Sequence, residues 1–268
     1  MEILNNIFHS QKPIVGMIHL PALIGYKEYQ GIDVIKKRII DETHMLNRSG
    51  VHAIMVENNY DIPHKEIVDK EVGEMMMTLT QAIIENTKLP VGINVLWNDF
   101  QSAFTIAAAT GAQFIRIPAF VDDVSTIYGD MPAVADKAIM YRKKLNLENK
   151  VAILADVQVK HSRMIDKSKK LSVSVQQAIE ARADGIIITG KMTGDAPLLE
   201  HLQIAKQNNK STPVFIGSGS TIENLSTLLK LSDGIIVGTA IMTAGVVNSL
   251  KLKNYMDTYQ KIQEKYVS

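Results

Sequence analysis

A single (β/α)8 TIM barrel is the α/β fold that this sequence predicts, and three observations point to it. Eight short β-branched runs recur along the chain, each followed by a stretch with helical periodicity, and such alternation builds a parallel sheet. Several of these units close with the same helix-to-strand joint: Ser49-Gly50-Val51, Thr110-Gly111-Ala112 and Arg182-Ala183-Asp184-Gly185. The 268 residues contain no Pro/Gly/Ser-rich linker, and α/β barrels occupy about 250 residues as one domain. Residues 1–268 therefore read as one barrel domain. A doubly wound open sheet is the rival arrangement, and eight strands in one domain of this length favour closure.

The strand candidates, in order, are Pro13–Leu20, His52–Asn58, Pro90–Trp97, Gln113–Pro118, Lys150–Val159, Asp184–Thr189, Pro213–Gly217 and Asp233–Gly238. Helical patterns include Asp33–Asn47, Gln101–Ala109, Val173–Ala183 and Leu225–Leu229. Strand residues of a barrel alternate between the interior and the helix layer. In the first strand His19 shares the face of Val15 and Met17. In the second, Ile54 and Val56 point to the helices, so Glu57 points inward. In the third, Ile93 and Val95 point outward, leaving Asn94, and beyond it Asn98, inside. Arg116 is inward on the fourth strand by the same count. The fifth strand is the clearest: Val151, Ile153, Ala155, Val157 and Val159 form the outer face, and Ala152, Leu154, Asp156, Gln158 and Lys160 form the inner one. Thr189 closes the sixth. Met75-Met76-Met77 falls on the second helix and reads as core filler.

The inward positions grow polar toward the C-terminal end of the strands, where active sites of this fold lie. His19, Glu57, Asn94, Asn98, Arg116, Asp156, Gln158, Lys160 and Thr189 gather there. Two acids, Glu57 and Asp156, face two bases, Arg116 and Lys160. A buried ion costs several kcal/mol unless it is paired, so a purely structural ion-pair plug is the bland reading. The clustering at one end favours a functional site.

A phosphate signal lies after the seventh and eighth strands. Gly217-Ser218-Gly219-Ser220-Thr221 follows one, and Gly238-Thr239-Ala240 ends the other. Small residues let backbone N–H groups approach an anion, helix N-termini favour negative charge, and these two loops are the usual phosphate site of the fold. Ser220 and Glu223 have capping-box spacing, which predicts a helix start there. Thr189-Gly190-Lys191-Met192-Thr193-Gly194-Asp195, after the sixth strand, reads either as a lid over the same ligand or as a plain surface loop.

Composition excludes several classes. With 29 Lys+Arg against 28 Asp+Glu the net charge is +1, which supplies no broad field for nucleic acid or an anionic membrane. Lys167, Lys169 and Lys170 form the densest basic cluster and read as a solvated loop. No window approaches the ~18 apolar residues of a membrane span. The absence of cysteine removes disulfides, Fe–S clusters and thiolate zinc sites. With no apolar leader at the start, a cytoplasmic location is the expectation. A homo-oligomer fits the chain as well as a monomer does.

These residues, in these contexts, resemble the BtpA family. The resemblance is carried by Val15-Gly16-Met17-Ile18-His19-Leu20-Pro21, Val56-Glu57-Asn58, Pro90-Val91-Gly92-Ile93-Asn94-Val95-Leu96, Asn98-Asp99, Gly111-Ala112-Gln113-Phe114-Ile115-Arg116 and Ala155-Asp156-Val157-Gln158-Val159-Lys160-His161. It implies a barrel of the ribulose-phosphate-binding type, in a family named for a factor needed for photosystem I accumulation in cyanobacteria. It also implies a polar signature of His19, Glu57, Asn94, Asp99, Arg116, Asp156, Lys160 and His161. Trp97 stands where a polar or basic residue is expected of many relatives, a departure at the rim.

The leading functional expectation is an enzyme acting on a small phosphorylated metabolite. The phosphate sits on Gly217, Ser218, Gly219, Ser220, Gly238 and Thr239. Asn94, Asn98, Asp99 and Thr189 contact the remainder of the substrate, and its reacting carbon lies over Glu57, Asp156 and Lys160. A carboxylate base, with Lys160, Arg116 or neutral His19 at the developing oxyanion, would serve isomerisation, epimerisation or retro-aldol cleavage. With two acids close by, Lys160 is expected to stay charged, and His161 is expected to face away from it. No cofactor is expected. A Mg²⁺ or Zn²⁺ site of Glu57, Asp156 and one histidine ranks low because no HxH or HExxH spacing exists, and FMN on the phosphate loops is the other minor reading. The alternative of a different class is a non-catalytic assembly or regulatory factor that binds a ligand or protein partner.

Overall fold

In the computed structural model, which describes residues 2–207, 209 and 211–267, eight parallel strands close into a barrel. They are β1 (Ile14–His19), β2 (Ala53–Glu57), β3 (Val91–Asn94), β4 (Phe114–Ile117), β5 (Ala152–Asp156), β6 (Gly185–Ile188), β7 (Val214–Ile216) and β8 (Gly234–Val237). Each pairs with its sequence neighbours, and β8 returns to β1 through Ile14–Ile235 and Val15–Ile236. The closed (β/α)8 barrel is the expected one. Met1 and Ser268, the ends of the range assigned to it from sequence, lie outside the described residues.

The helices are α1 (Glu2–Phe8), α2 (Ile32–Ser49), α3 (Lys70–Glu85), α4 (Phe100–Thr110), α5 (Ala135–Lys144), α6 (Leu171–Glu180), α7 (Leu199–Gln207), α8 (Leu225–Leu231) and α9 (Ser249–Val267). Their apolar stripes, such as Ile35, Ile39 and Leu46 of α2, are buried against the outer face of the strands. Met75 and Met76 are fully within this layer and Met77 packs on its edge, so the methionine run is core.

The N-terminal end of the barrel is sealed with aromatic rings. Phe8 of α1 meets Phe114 edge-on at 5.3 Å and Phe215 at 5.7 Å. Gly92 and Gly234 make room for those rings: a Cβ on Gly92 would lie 2.1 Å from the Phe114 ring, and one on Gly234 would lie 2.4 Å from that of Phe215. These rings plug the N-terminal end of the barrel interior with apolar contacts.

Three expectations need correction. The fifth strand ends at Asp156 rather than Val159, because Gln158 adopts φ 47° and breaks the two-residue alternation. The Ser220–Glu223 capping box does not form: α8 begins at Leu225, and the Ser220 hydroxyl is instead bonded to the Tyr255 hydroxyl. The loop after β4 carries an excursion that was not anticipated. Val124–Thr126, Gly129–Met131 and Arg163–Met164 pair as a three-stranded antiparallel sheet beside the mouth.

Candidate functional site

The strand register sets the polar groups in one row. His19 pairs with Glu57 across β1 and β2, Glu57 with Asn94 across β2 and β3, and Asn94 with Arg116 across β3 and β4. Neighbouring strands lie about 4.8 Å apart, so these four inward side chains are within reach of one another. Between β4 and β5 the register moves: Arg116 pairs with Leu154, which places Asp156 one inward step higher. The arginine reaches up to it.

That reach produces a buried bidentate ion pair. Arg116 Nε donates to Asp156 Oδ2 at 2.7 Å and Nη2 to Oδ1 at 2.8 Å. Both side chains are nearly inaccessible, 4% and 0% exposed. Asp156 is thus engaged on both oxygens and does not line the cavity, which corrects its expected place as a base over the reacting carbon. It holds Arg116, and Arg116 faces the cavity.

Glu57 and Lys160 do stand on the cavity wall. Glu57 Oε2 accepts from Asn94 Nδ2 at 2.6 Å, and Oε1 lies 3.9 Å from His19 Nε2. Beyond the end of β5 the chain turns. The backbone N–H of Gln158 donates to Asp122 and its side chain to Lys169 O and Ser174 Oγ, so Gln158 faces α6 and not the interior. Lys160 is then carried over the mouth by its own backbone N–H, which donates to Thr189 Oγ1 at 3.0 Å. Thr189, expected at the substrate, is in this way a support for Lys160.

Asn98 and Asp99 are also corrected, because both are consumed by the backbone. Asn98 Nδ2 donates to Ala119 O and Pro132 O while its Oδ1 accepts from Ala119 N. Asp99 is the N-cap of α4, accepting from Ser102 N at 2.9 Å, and it also accepts from Val68 N. Such a cap contributes about 0.5–2 kcal/mol to the helix.

The glycine loops form one pocket with the row. Gly217, Ser218, Gly219, Ser220 and Thr221 face Gly238, Thr239 and Ala240 across a space of about 120 Å³, floored by Met17, His19 and Ile236. The hydroxyls of Ser218 and Ser220 are already engaged, Ser220 with Tyr255 and Ser218 with Gly190 N and Asp195 O. Gly217 N and Thr221 N are engaged as well, with Ile188 O and Asn224 Oδ1, so what this pocket offers an anion is room between small residues beside Arg116 and Lys160. Gly219 has φ 71°, and a Cβ there would sit 2.0 Å from Ala196 N; the residues after Gly190 are packed directly on it.

Those residues wall one side of the pocket. Thr193 and Gly194 line it, and Thr193 Oγ1 is bonded to His161 Nε2 at 2.7 Å and to Lys160 Nζ at 3.4 Å. His161 is therefore at the mouth and not turned away, since its φ of 59° reverses the direction expected from strand alternation.

A second chamber of about 190 Å³ shares Glu57, Arg116, Lys160 and Thr193 with the first and continues past them to His64, Trp97 and Tyr128. His64 and Tyr128 were missed from sequence. His64 follows the Ile62-Pro63 turn in the loop after β2, a loop that belongs to the catalytic face of such a barrel, and that position was the available signal.

Burial and charge act in opposite directions here. Burial pushes the Glu57 carboxyl up, but His19, Arg116, Lys160 and the Asn94 amide outweigh it and hold it below the usual carboxylate range. Burial pulls the Lys160 ammonium down, Arg116 adds to that, and the two acids do not restore it; its pKa moves opposite to the expected pull of the acids. Burial likewise lowers His19, His64 and His161, against the raising pull of Glu57 on each. Burial pushes Asp156 up against the pull of Arg116 and Lys160. Among the described residues no group of three His, Asp or Glu side chains is arranged to hold a metal ion, and no helix is long and apolar enough to cross a membrane.

Comparison with known proteins agrees with this architecture. The BtpA family model matches residues 10–261. The photosystem I biogenesis protein BtpA of a Synechocystis species is 37% identical over 244 residues, covering 90% of this chain and 84% of its own. Among solved structures, (S)-3-O-geranylgeranylglyceryl phosphate synthase from Thermoplasma acidophilum, in complex with sn-glycerol-1-phosphate, superposes with a TM-score of 0.63 at 16% identity, covering 97% of this chain and 98% of its own. N-(5'-phosphoribosyl)anthranilate isomerase from Pyrococcus furiosus gives 0.59 at 14% identity, covering 93% and 99%. At such identities the structural likeness is one of fold. The family match and the Synechocystis relative place the chain by sequence: it belongs to the BtpA family.

Proposed function

We propose that this BtpA-family barrel is an enzyme acting on a small phosphorylated metabolite, by carbon-acid chemistry of the isomerase, epimerase, aldolase or lyase kind. One observation carries the reading: Glu57, Arg116 and Lys160 stand on the wall shared by a glycine-lined pocket and a second chamber. A phosphate between 217–221 and 238–240 would leave the adjoining carbons over those three side chains. The solved neighbours named above are a geranylgeranylglyceryl phosphate synthase bound to sn-glycerol-1-phosphate and a phosphoribosylanthranilate isomerase, which supports the substrate class.

Each group then has a role. The Glu57 carboxylate, steered by Asn94, removes a proton from carbon next to a carbonyl. Lys160 and neutral His19 supply protons or N–H donors to the oxygen on which charge develops, and a lowered lysine pKa eases that transfer. Arg116 adds fixed positive charge, and Asp156 positions it.

The test is a thermal-shift screen of phosphorylated sugars, nucleotides and inorganic phosphate. A ligand at ~100 times its Kd stabilises the native state by about 2.7 kcal/mol. A selective hit is then followed in D2O by NMR for exchange of its carbon-bound hydrogen. Exchange by the wild type and its loss in Glu57→Gln, with the same ligand shift retained, is the expected result. If no phosphorylated compound stabilises the protein while a control barrel responds, the reading fails. The non-catalytic assembly or regulatory factor then takes its place, a reading favoured by the name of the Synechocystis relative.

A further inference from the structure

Asn94 Oδ1 and His64 Nδ1 are buried side-chain atoms without a hydrogen-bond partner, and both residues line the second chamber. Asn94 is only 1% exposed. Its amide cannot be turned round, because Nδ2 already donates to the Glu57 carboxylate, and a carboxylate cannot face an amide oxygen. Oδ1 is thereby held as an acceptor with nothing to accept. A buried polar atom left in that state costs about 1–3 kcal/mol.

Glu57, Arg116, Lys160 and Thr193 form the wall shared with the first pocket, Asn59 and His161 add two more polar groups, and the remaining wall is apolar. Leu96, Trp97, Pro118, Ile127, Tyr128 and Val159 form it. His64 stands edge-on to Tyr128, with ring centroids 5.1 Å apart and planes at 84°. Its space of about 190 Å³ exceeds the roughly 150 Å³ at which an apolar cavity takes up benzene. An open-chain polyol would satisfy the Asn94 oxygen and leave these walls wet. A saturated hydrocarbon would cover the walls and leave the oxygen orphaned. A planar ring carrying an N–H or O–H does both.

We propose that the metabolite is a phosphate monoester whose far end is an aromatic or heteroaromatic ring bearing a hydrogen-bond donor, with the ring against the wall of Trp97 and Tyr128 and its donor on Asn94 Oδ1. This rests on the phosphate reading of the glycine loops, and its test separates the two. Trp97 is the one tryptophan of the chain, so intrinsic fluorescence reports on the chamber. Phenol and toluene match in size, and phenol alone carries a hydroxyl, whose use by Asn94 the Asn94→Leu variant reads. Both are titrated with excitation at wavelengths they do not absorb, and inorganic phosphate is titrated separately by calorimetry.

Saturable quenching by phenol, at least fivefold tighter than by toluene, is the expected result, as is saturable heat from phosphate. Asn94→Leu should erase the phenol preference and leave phosphate binding unchanged. Equal or tighter binding of toluene overturns the donor assignment on the wild type alone, whether or not the variant folds. Phosphate binding without saturation by either ring compound overturns the ring chamber and leaves the phosphate reading standing. Ring binding without phosphate binding overturns the phosphate monoester.

Discussion

Replacing Asp156 by Asn leaves the Arg116 guanidinium buried without its counter-charge. Removing one partner of a buried pair costs about 3–5 kcal/mol. The lower end suits this site, because Glu57 lies close enough to raise the Arg116 pKa and so offers partial compensation. For a chain of about this length each kcal/mol moves the melting temperature by about 2–4 °C, so at about 3 kcal/mol Asp156→Asn should melt roughly 6–12 °C lower. The reciprocal variant, Arg116→Met, strands a carboxyl instead, and a carboxyl has an escape that arginine lacks. Burial already pushes the Asp156 pKa up, and without Arg116 it rises further. A raised folded-state carboxyl favours the native state below the pKa of the unfolded chain, and that stability is lost as pH rises through the folded-state value. Arg116→Met should therefore recover stability on acidification, and Asp156→Asn should not. Thermal melts of both variants and the wild type at neutral and mildly acidic pH measure this. A loss below about 2 °C for Asp156→Asn, or the same pH response in both variants, would refute the claim that this pair is a charged, desolvated one.

Two further outcomes follow from the same structure. Asp61 accepts from Leu23 N at 2.7 Å and from Asn58 Nδ2, yet burial outweighs both bonds and raises its pKa to about 6; carboxyl carbon NMR should show a midpoint there, and a midpoint near the ordinary 3.8 would mean that this carboxylate is hydrated. Its contribution to stability is present in acid and fades as pH rises toward 6. Gly92→Ala sets a methyl 2.1 Å from the Phe114 ring inside the barrel, a clash of the kind that costs about 1–3 kcal/mol or more; Phe114→Leu in the same chain should restore part of the loss in a urea melt, and additive effects would place the strain elsewhere.

The parts of the site that were legible in the sequence are those set by a backbone period. Glu57, Asn94 and Arg116 are interior because each is an odd step from apolar residues that must face helices, and no long-range information was needed. The glycine loops were legible for a similar reason: a close approach of backbone leaves small residues behind. The illegible parts depend on hydrogen bonds between distant segments. Asn98 and Asp99 have the composition of ligand contacts, and only the fold reveals that Ala119 N, Ser102 N and Val68 N take them up. The direction of His161 was lost with two residues of positive φ, Gln158 and His161 itself, since alternation holds only while the chain is extended.

The register explains why Arg116 occupies the centre of the site. Along β1 to β4 the inward polar residues pair in a level row, so His19, Glu57, Asn94 and Arg116 share one height. At β5 the pairing places the next inward acid a step higher, and on β6 to β8 the inward positions are Ile187, Phe215 and Ile236, without charge. The side-chain chemistry is therefore concentrated on one half of the barrel, and the other half offers small residues from its loops. Arg116 is the side chain that spans the division. It ends the level row, is locked by Asp156 above, and lies 3.4 Å from where a Gly217 Cβ would project. A larger residue at 217 would strike Ile187 first, at 2.5 Å, so the glycine keeps the loop after β7 down against the guanidinium. A ligand anion on that loop and a carbon over Glu57 would both lie beside one fixed positive charge, whose orientation is set before any ligand arrives.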